Sequence, residues 1–183
     1  MKIKLTLFFS LFTIILFNSC EEAETLDDQW KLDNEAQFAN ITADPSYTKL
    51  NALSNNGHIM YKVIEEATGD RSPYFNEYVK VRYTGWFKYN WNLADEYVDD
   101  NGNYITNKII FDTTEEGNIP RTFRVDGLVE GFSTALQFMK EGDKWEVWMP
   151  SKLAYGENSQ GDIRPNTTLA FKIELVEIVG MKP

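Results

Sequence analysis

The sequence predicts an α+β domain built on an antiparallel sheet, and three observations carry that expectation. Between Gly57 and Ile178, apolar and polar residues alternate in stretch after stretch, the period of strands with one buried face. One short stretch, Phe132 to Met139, switches to the helical period. A sheet with one apolar face and a single short helix to cover it makes an α+β arrangement, and no internal repeat is evident.

The elements follow in order. In "GHIMYKVIEEATGD", Ile59, Tyr61 and Val63 alternate against Met60, Lys62 and Ile64, a first strand. "EYVKVRYTGWF" alternates again, with Val79, Val81 and Tyr83 on one side and Lys80, Arg82 and Thr84 on the other. Gly85 interrupts that strand as a bulge or bend would. In "FSTALQFM", Phe132, Ala135, Leu136 and Met139 fall at i, i+3, i+4 and i+7, so residues 132 to 139 form a helix with one apolar face. Gly142, just beyond Glu141, is placed to terminate it. "KWEVWMP" returns to alternation with Trp145, Val147 and Met149 on one face and Trp148 on the other. "TLAFKIELVEI" closes the chain with Leu169, Phe171, Ile173 and Leu175 on one face.

The start of the chain reads differently. Lys2 and Lys4 precede the apolar run "LTLFFSLFTIILF", whose 13 residues are short of the roughly 20 that a spanning helix needs. A basic start, a short apolar stretch and then small or polar residues read as a secretory signal peptide over residues 1–19. Cys20 is the only cysteine, and an unpaired cysteine in an exported chain calls for an explanation. "FNSCEE" resembles a bacterial lipoprotein cleavage site, with Ser19 fitting and Phe17 departing from the usual leucine. Cys20 would then be the lipid attachment residue, holding the chain in the bacterial envelope at the outer membrane or cell surface. An ordinary secreted protein with a stray thiol is the alternative. Residues 20–56 are polar and acidic, with scattered Trp30, Leu32, Phe38 and Ile41, and read as a tether carrying one or two short helices. Trp30 and Phe38 either pack on the main domain or contact a second copy, a possible dimer through residues 21–56; otherwise the segment is a solvated spacer.

Composition excludes several chemistries. A formal charge of −10 argues against nucleic-acid binding, which needs clustered Lys and Arg. His58 is the single histidine and nothing near it marks a nucleophile, so no Ser-His-Asp or Cys-His mechanism is indicated. Zinc needs several His or Cys ligands, and no metal is expected. "DDNGNY" fails as a calcium loop, because aligning Gly102 puts Tyr97 and Lys108 where carboxylates belong; it reads as a hairpin turn on Asn101-Gly102 or Asn-Gly-Asn. No glycine-rich phosphate loop appears, so no cofactor is expected. Composition leaves hydrolysis by a carboxylate pair open, but no spacing suggests it; shape, aromatic surface and hydrogen bonding are favoured.

Four blocks point to a family. "VKVRYTGWF", "IIFDTT", "IPRTFRVDGLVEGFSTALQFMKEGDKWEVWMPSKLAYG" and "IRPNTTLAFKIELVEI" resemble, in order, the FKBP-type peptidyl-prolyl cis-trans isomerases. The resemblance implies an isomerase domain over residues 57–180, its sheet half-wrapped around one short helix, with the active site between them. It implies that Tyr83, Asp112 and Tyr155 are the catalytic residues, and that Phe111, Phe123, Leu128, Val129, Phe132, Ile163 and Phe171 bind substrate, Leu128 and Ile163 at its flanks. The Tyr155 hydroxyl would hydrogen-bond the bound peptide, and a main-chain N–H before or at Ile163 would be the second donor. Proline-containing polypeptides, exported ones given the signal peptide, are the implied partners. The runner-up is a non-catalytic binding module of the same fold.

The sequence departs from the family in three places. Phe132 stands where the family most often has tryptophan, giving a smaller aromatic floor. Arg164 interrupts the usual Ile-Pro-Pro. Residues 88–109 form an insertion, read as an extended surface hairpin whose Tyr89, Trp91, Tyr97 and Tyr104 either pack among themselves or form a client-binding flap. Because it precedes Phe111-Asp112, the insertion is expected near the rim of the pocket.

Overall fold

The computed structural model describes Thr25 to Met181, so the signal peptide and Cys20 lie outside the described residues. The chain enters a helix, α1 (Leu26–Ala43), through a capping box: the Asp28 N–H donates to Thr25 Oγ1 at 3.2 Å and the Thr25 N–H donates to Asp28 Oδ2 at 3.1 Å. Nine strands follow: β1 (Thr48–Asn51), β2 (His58–Glu65), β3 (Tyr78–Lys88), β4 (Glu96–Val98), β5 (Tyr104–Thr106), β6 (Lys108–Thr113), β7 (Arg121–Arg124), β8 (Lys144–Met149) and β9 (Leu169–Gly180). A second helix, α2 (Glu130–Leu136), lies between β7 and β8.

The main sheet is antiparallel in the order β1-β2-β8-β9-β3-β6, with β7 also paired to β3; β4 and β5 form a separate hairpin. Alternation holds along β3, β8 and β9, whereas in β2 it holds only at Ile59 and Tyr61: Val63 is exposed, and Met60 on the other face is buried in a second core. Ile59, Val79, Val81, Val147, Ile173 and Leu175 are fully buried on the face that α2 covers with Phe132, Ala135, Leu136 and nearby Met139. Burying each large apolar side chain there contributes roughly 1.5–3 kcal/mol relative to exposure. α2 approaches the sheet closely because Gly131 lacks a side chain: a Cβ there would meet Met149 Sδ at 2.7 Å and Met149 Cβ at 2.8 Å. α2 begins and ends earlier than the spacing suggests. Its helical bonding nevertheless continues to the Met139 N–H, which donates to the Ala135 carbonyl, and Gly142 (φ 92°) makes the turn before β8 rather than capping the helix.

From Thr25 on, the segment expected to be a tether with one or two short helices carries one helix, and its Trp30 and Phe38 pack on the main domain, the first of the alternatives for them. α1 lies on the opposite face of the sheet, and β1 adds an edge strand in register with β2, so residues 25–56 pack with the sheet of residues 57–180. The contact stripe of α1 is narrow: Trp30, Asn34 and Phe38 are buried at i, i+4 and i+8, and the middle one is polar. Asn34 Oδ1 accepts from the Thr168 N–H (2.9 Å) and from Trp91 Nε1 (3.2 Å), while the Asn34 carbonyl accepts from Thr168 Oγ1 (2.9 Å). Trp30 Nε1 donates to Thr167 Oγ1 at 3.1 Å. Phe38 packs with Met60, Trp148 and Ala170 in a second small core, and its ring lies 5.3 Å from His58. Trp30 and Phe38 are thus used within the chain. As alternation requires, Trp145 belongs to the main core and Trp148 to the opposite face.

The insertion is a folded hairpin. Asp99 and Asn103 close its turn, with Gly102 at φ 84°. Its base is fixed by the buried Asn107, whose Nδ2 donates to the carbonyls of Asn90 and Ala94, both at 2.8 Å. Trp91 turns back against Trp148 (5.2 Å between rings) and towards Asn34, so the insertion is anchored on the α1 face.

Candidate active site

β3 delivers the first wall of a cleft between the sheet and α2. Its main chain at Tyr83 is pinned by Thr114, whose N–H donates to the Tyr83 carbonyl and whose hydroxyl accepts from the Tyr83 N–H, each at 2.9 Å. The β3–β6 register shifts between Gly85 and Trp86, the bulge expected at that glycine. A Cβ on Gly85 would lie 2.6 Å from Phe171 and 2.7 Å from Phe111, so the glycine lets those two rings meet over the strand.

The cleft has a volume of about 310 Å³ and is lined by Tyr83, Phe111, Asp112, Arg121, Phe123, Gly127, Leu128, Val129, Phe132, Tyr155 and Phe171. Phe132, from α2, forms its floor with edge-to-face contacts to Tyr83 (5.7 Å) and Phe171 (5.2 Å); Phe111 meets Phe171 at 5.5 Å and Phe123 meets Tyr83 at 5.9 Å. Seven elements or loops converge here, which fixes the rings against one another.

Three polar groups stand at one side. The Tyr83 hydroxyl donates to Asp112 Oδ2 at 2.5 Å. Arg121 Nη1 donates to Asp112 Oδ1 at 2.8 Å and to the Tyr83 hydroxyl at 2.9 Å. Burial, followed by the Asp112 hydrogen bond and negative charge, pushes the Tyr83 hydroxyl up to about 12. The Tyr155 hydroxyl is raised above its ordinary value by burial first and by Asp112 second, and it makes no hydrogen bond within the described residues. Both phenols therefore remain neutral donors at physiological pH. The Val129 N–H, at the entrance to α2, likewise has no partner within the described residues.

Nine of the ten residues expected at the site line this one cleft; Ile163 does not. Its side chain is buried in the main core and its N–H donates to the Gln160 carbonyl at 3.0 Å, so of the two donors expected, before or at Ile163, the one at Ile163 is already engaged. The cause lies in the loop. Gly161 (φ 55°) allows a tight turn, and Arg164 is drawn to α1, its guanidinium 4.6 Å from the Trp30 ring and 2.7 Å from Asp27 Oδ1. The insertion is also not where it is expected: none of residues 88–109 lines the cleft, because Trp91 ties it to the other side of the sheet. Sequence reasoning missed Arg121 and the Val129 N–H. Arg121 shares the cleft-facing side of β7 with Phe123, two residues on, and is identified by its hydrogen bond to Asp112 rather than by any motif.

A family model described as FKBP-type peptidyl-prolyl cis-trans isomerase matches residues 69–176. The chain is 38% identical over 121 residues to Outer membrane protein MIP of Legionella longbeachae, covering 66% of this chain and 44% of that one. It is 33% identical over 127 residues to the FKBP-type 22 kDa peptidyl-prolyl cis-trans isomerase of Escherichia coli, covering 69% and 52%. The chain spans about half the length of the curated relatives it matches. Among solved structures, a peptidyl-prolyl cis-trans isomerase from Pseudomonas syringae pv. tomato superposes with a TM-score of 0.63 at 29% identity, covering 85% of this chain and 98% of that one. FkpA from Escherichia coli gives 0.62 at 25%, covering 84% and 63%. With the aromatic cleft, its order of motifs and these likenesses together, the chain belongs to the FKBP-type peptidyl-prolyl cis-trans isomerase family.

Proposed function

We propose that this chain is a peptidyl-prolyl cis-trans isomerase acting on proline-containing segments of exported polypeptides, with turnover in the cleft of Tyr83, Asp112, Phe132 and Tyr155. The observation that carries the proposal is an aromatic cleft holding one unengaged phenol at its edge. Rotation about an X–Pro amide faces about 18–20 kcal/mol because resonance gives the C–N bond double-bond character. In the twisted transition state that resonance is lost and the carbonyl oxygen carries less negative charge. A prolyl ring seated on Phe132 leaves water behind, and an amide cut off from water loses solvation that favours its planar, more polar form. The Asp112 carboxylate adds to this discrimination by disfavouring charge on the carbonyl oxygen, while Tyr83 and Arg121 hold it in place. The Tyr155 hydroxyl and Val129 N–H hold the peptide main chain so that one side of the amide turns against a fixed other side. A millionfold acceleration requires about 8 kcal/mol of preference for the twisted form. No nucleophile takes part.

The Cys20 reading and the name of the Legionella relative support an exported, lipid-anchored chain in the cell envelope. Labelling with a radioactive fatty acid checks it: incorporation that persists in Cys20→Ser contradicts that anchor. Pairing of two copies through residues 21–56 would use the outer side of α1, where Leu26 and Leu32 are exposed. The activity is tested by acceleration of X–Pro isomerisation in short peptides. A second reading, a binding module without turnover, draws on the exposed Tyr89, Val98 and Tyr104 of the insertion. Peptide binding by folded protein with no acceleration would favour it.

A further inference from the structure

A second cleft, of about 600 Å³, lies beside the first. Leu128 lines both, so the two clefts adjoin at that side chain. Its apolar sides are Leu53, in the turn between β1 and β2, and Phe75, in the loop between β2 and β3; its base is formed by the α2 residues Ser133, Thr134 and Gln137. Leu53 is 65% exposed and Phe75 is 55% exposed, although each sits in a loop held by its own hydrogen bonds.

The Phe75 loop is fixed by the buried Glu77. Its carboxylate accepts from Arg71 Nη1 (2.6 Å), from Arg71 Nη2 (2.9 Å) and from the Tyr74 N–H (2.8 Å). The Leu53 turn is closed by the Ala52 N–H to the Gly57 carbonyl (2.9 Å) and the Asn55 N–H to the Ala52 carbonyl (3.0 Å). Glu130, in the first turn of α2, clamps that turn by accepting from the Ser54 hydroxyl and from Asn56 Nδ2. Two large apolar side chains are therefore presented to water by loops that are built to present them, which a loose surface does not do.

We propose that this second cleft binds the segment of the client polypeptide that flanks the proline, taking an apolar or aromatic side chain between Leu53 and Phe75. The inference rests on the isomerase reading and extends it, since continuity through Leu128 with the proline cleft is what identifies the occupant. The second cleft's occupant is expected about three residues from the proline, roughly 10 Å of extended chain at about 3.3 Å per residue. Asp126 and Glu130 border the cleft; Asp126 is paired with Arg124 at 2.8 Å, whereas Glu130 is engaged by neutral donors alone among the described residues, so its charge favours a client segment carrying a basic residue there. The chain would then select unfolded segments of mixed apolar and basic character rather than isolated X–Pro bonds.

The test compares wild type with the double variant Leu53→Ser, Phe75→Ser on two substrates. One is an X–Pro tetrapeptide with the proline at its third position, whose ends lie no more than two residues from the proline and so stop short of the second cleft. The other is a longer peptide with leucine or phenylalanine three residues from the proline, run on both sides of it. Both substitutions are at exposed positions, and circular dichroism checks that the fold is retained. The proposal expects tetrapeptide kcat/KM to be unchanged in the variant, and KM for the extended peptide to rise about tenfold, the scale of one lost apolar anchor. In wild type, the apolar residue should lower KM relative to a serine in the same place. An equal effect on both substrates, no effect on either, or a change confined to self-association in sedimentation overturns it. Should wild type turn over neither substrate, the isomerase reading fails, and fluorescence anisotropy of the labelled extended peptide decides the second cleft alone: binding weakened in the double variant keeps it, unchanged binding removes it.

Discussion

At the scale of single residues, the site works through neutral donors and close packing. Tyr155 offers an unengaged hydroxyl, and a hydrogen bond of this kind contributes about 0.5–1.5 kcal/mol. Tyr155→Phe should therefore lower kcat/KM by roughly two- to twelvefold while leaving the urea midpoint in place. Because Tyr83 is pushed up to about 12 and Tyr155 is also raised, neither ionises between about pH 6 and 9. His58, outside the site, is held below its ordinary 6.5 by burial, Lys49 and Lys152. The peptide rate constant should then be flat across that window, and a bell-shaped profile would place a titrating group in the mechanism. Stability behaves differently in alkali. The folded state holds the Tyr83 proton more tightly than the unfolded chain, whose value is near 10.0, so this contribution is intact below pH 10 and is lost as pH rises towards 12. Gly85 is the residue whose absence of a side chain the cleft most needs. Gly85→Ala forces Phe111 and Phe171 apart, which should cost about 1–3 kcal/mol in urea unfolding and lower kcat/KM with it.

At the scale of elements, α1 and the loop from Tyr155 to Asn166 act as one support. The Asn166 N–H closes the loop on the Gly156 carbonyl at 2.7 Å, and Arg164 rests on Trp30. That contact replaces the stiffness which a proline at Arg164 would have provided. Its ion pair with Asp27 is exposed and contributes less than about 1 kcal/mol. Asn34 carries much more, since its loss leaves the Thr168 N–H and Trp91 Nε1 without the acceptor they share. Asn34→Ala should destabilise by about 2–4 kcal/mol in urea unfolding, against a few tenths for Leu32→Ala on the exposed side of the same helix. These differences also explain what could be read from the sequence. The strands were legible because alternation at Val79, Val81, Tyr83 and at Leu169, Phe171, Ile173 reports burial directly. α1 was obscure because its buried stripe is three residues wide with asparagine at its centre, a pattern that hydrophobic periodicity does not register. The aromatic lining was legible through its motifs, and alternation with Phe123 already placed Arg121 on the same face although no motif named it, whereas the turned-in Ile163 depends on loop geometry that no local pattern encodes.

At the scale of the molecule, the sheet has α2 on one face and α1 on the other, and Trp91 and Asn34 join the insertion to both α1 and the sheet. Unfolding should be one cooperative transition, with tryptophan fluorescence and far-ultraviolet circular dichroism coincident in urea. An earlier fluorescence change would mean that α1 and the insertion separate before the sheet. The cleft and its neighbour both border Leu128, so the whole surface on that side is suited to an extended chain with a proline at one point. The most direct measurement is isomerisation of an X–Pro tetrapeptide by residues 21–183, followed by proton exchange spectroscopy without a coupling protease, in wild type, Tyr155→Phe and Asp112→Ala. The account predicts cis–trans exchange far above the uncatalysed rate in wild type and a reduced rate in both variants that remain folded. Exchange at the uncatalysed rate in folded wild type, or equal catalysis in all three, would contradict it.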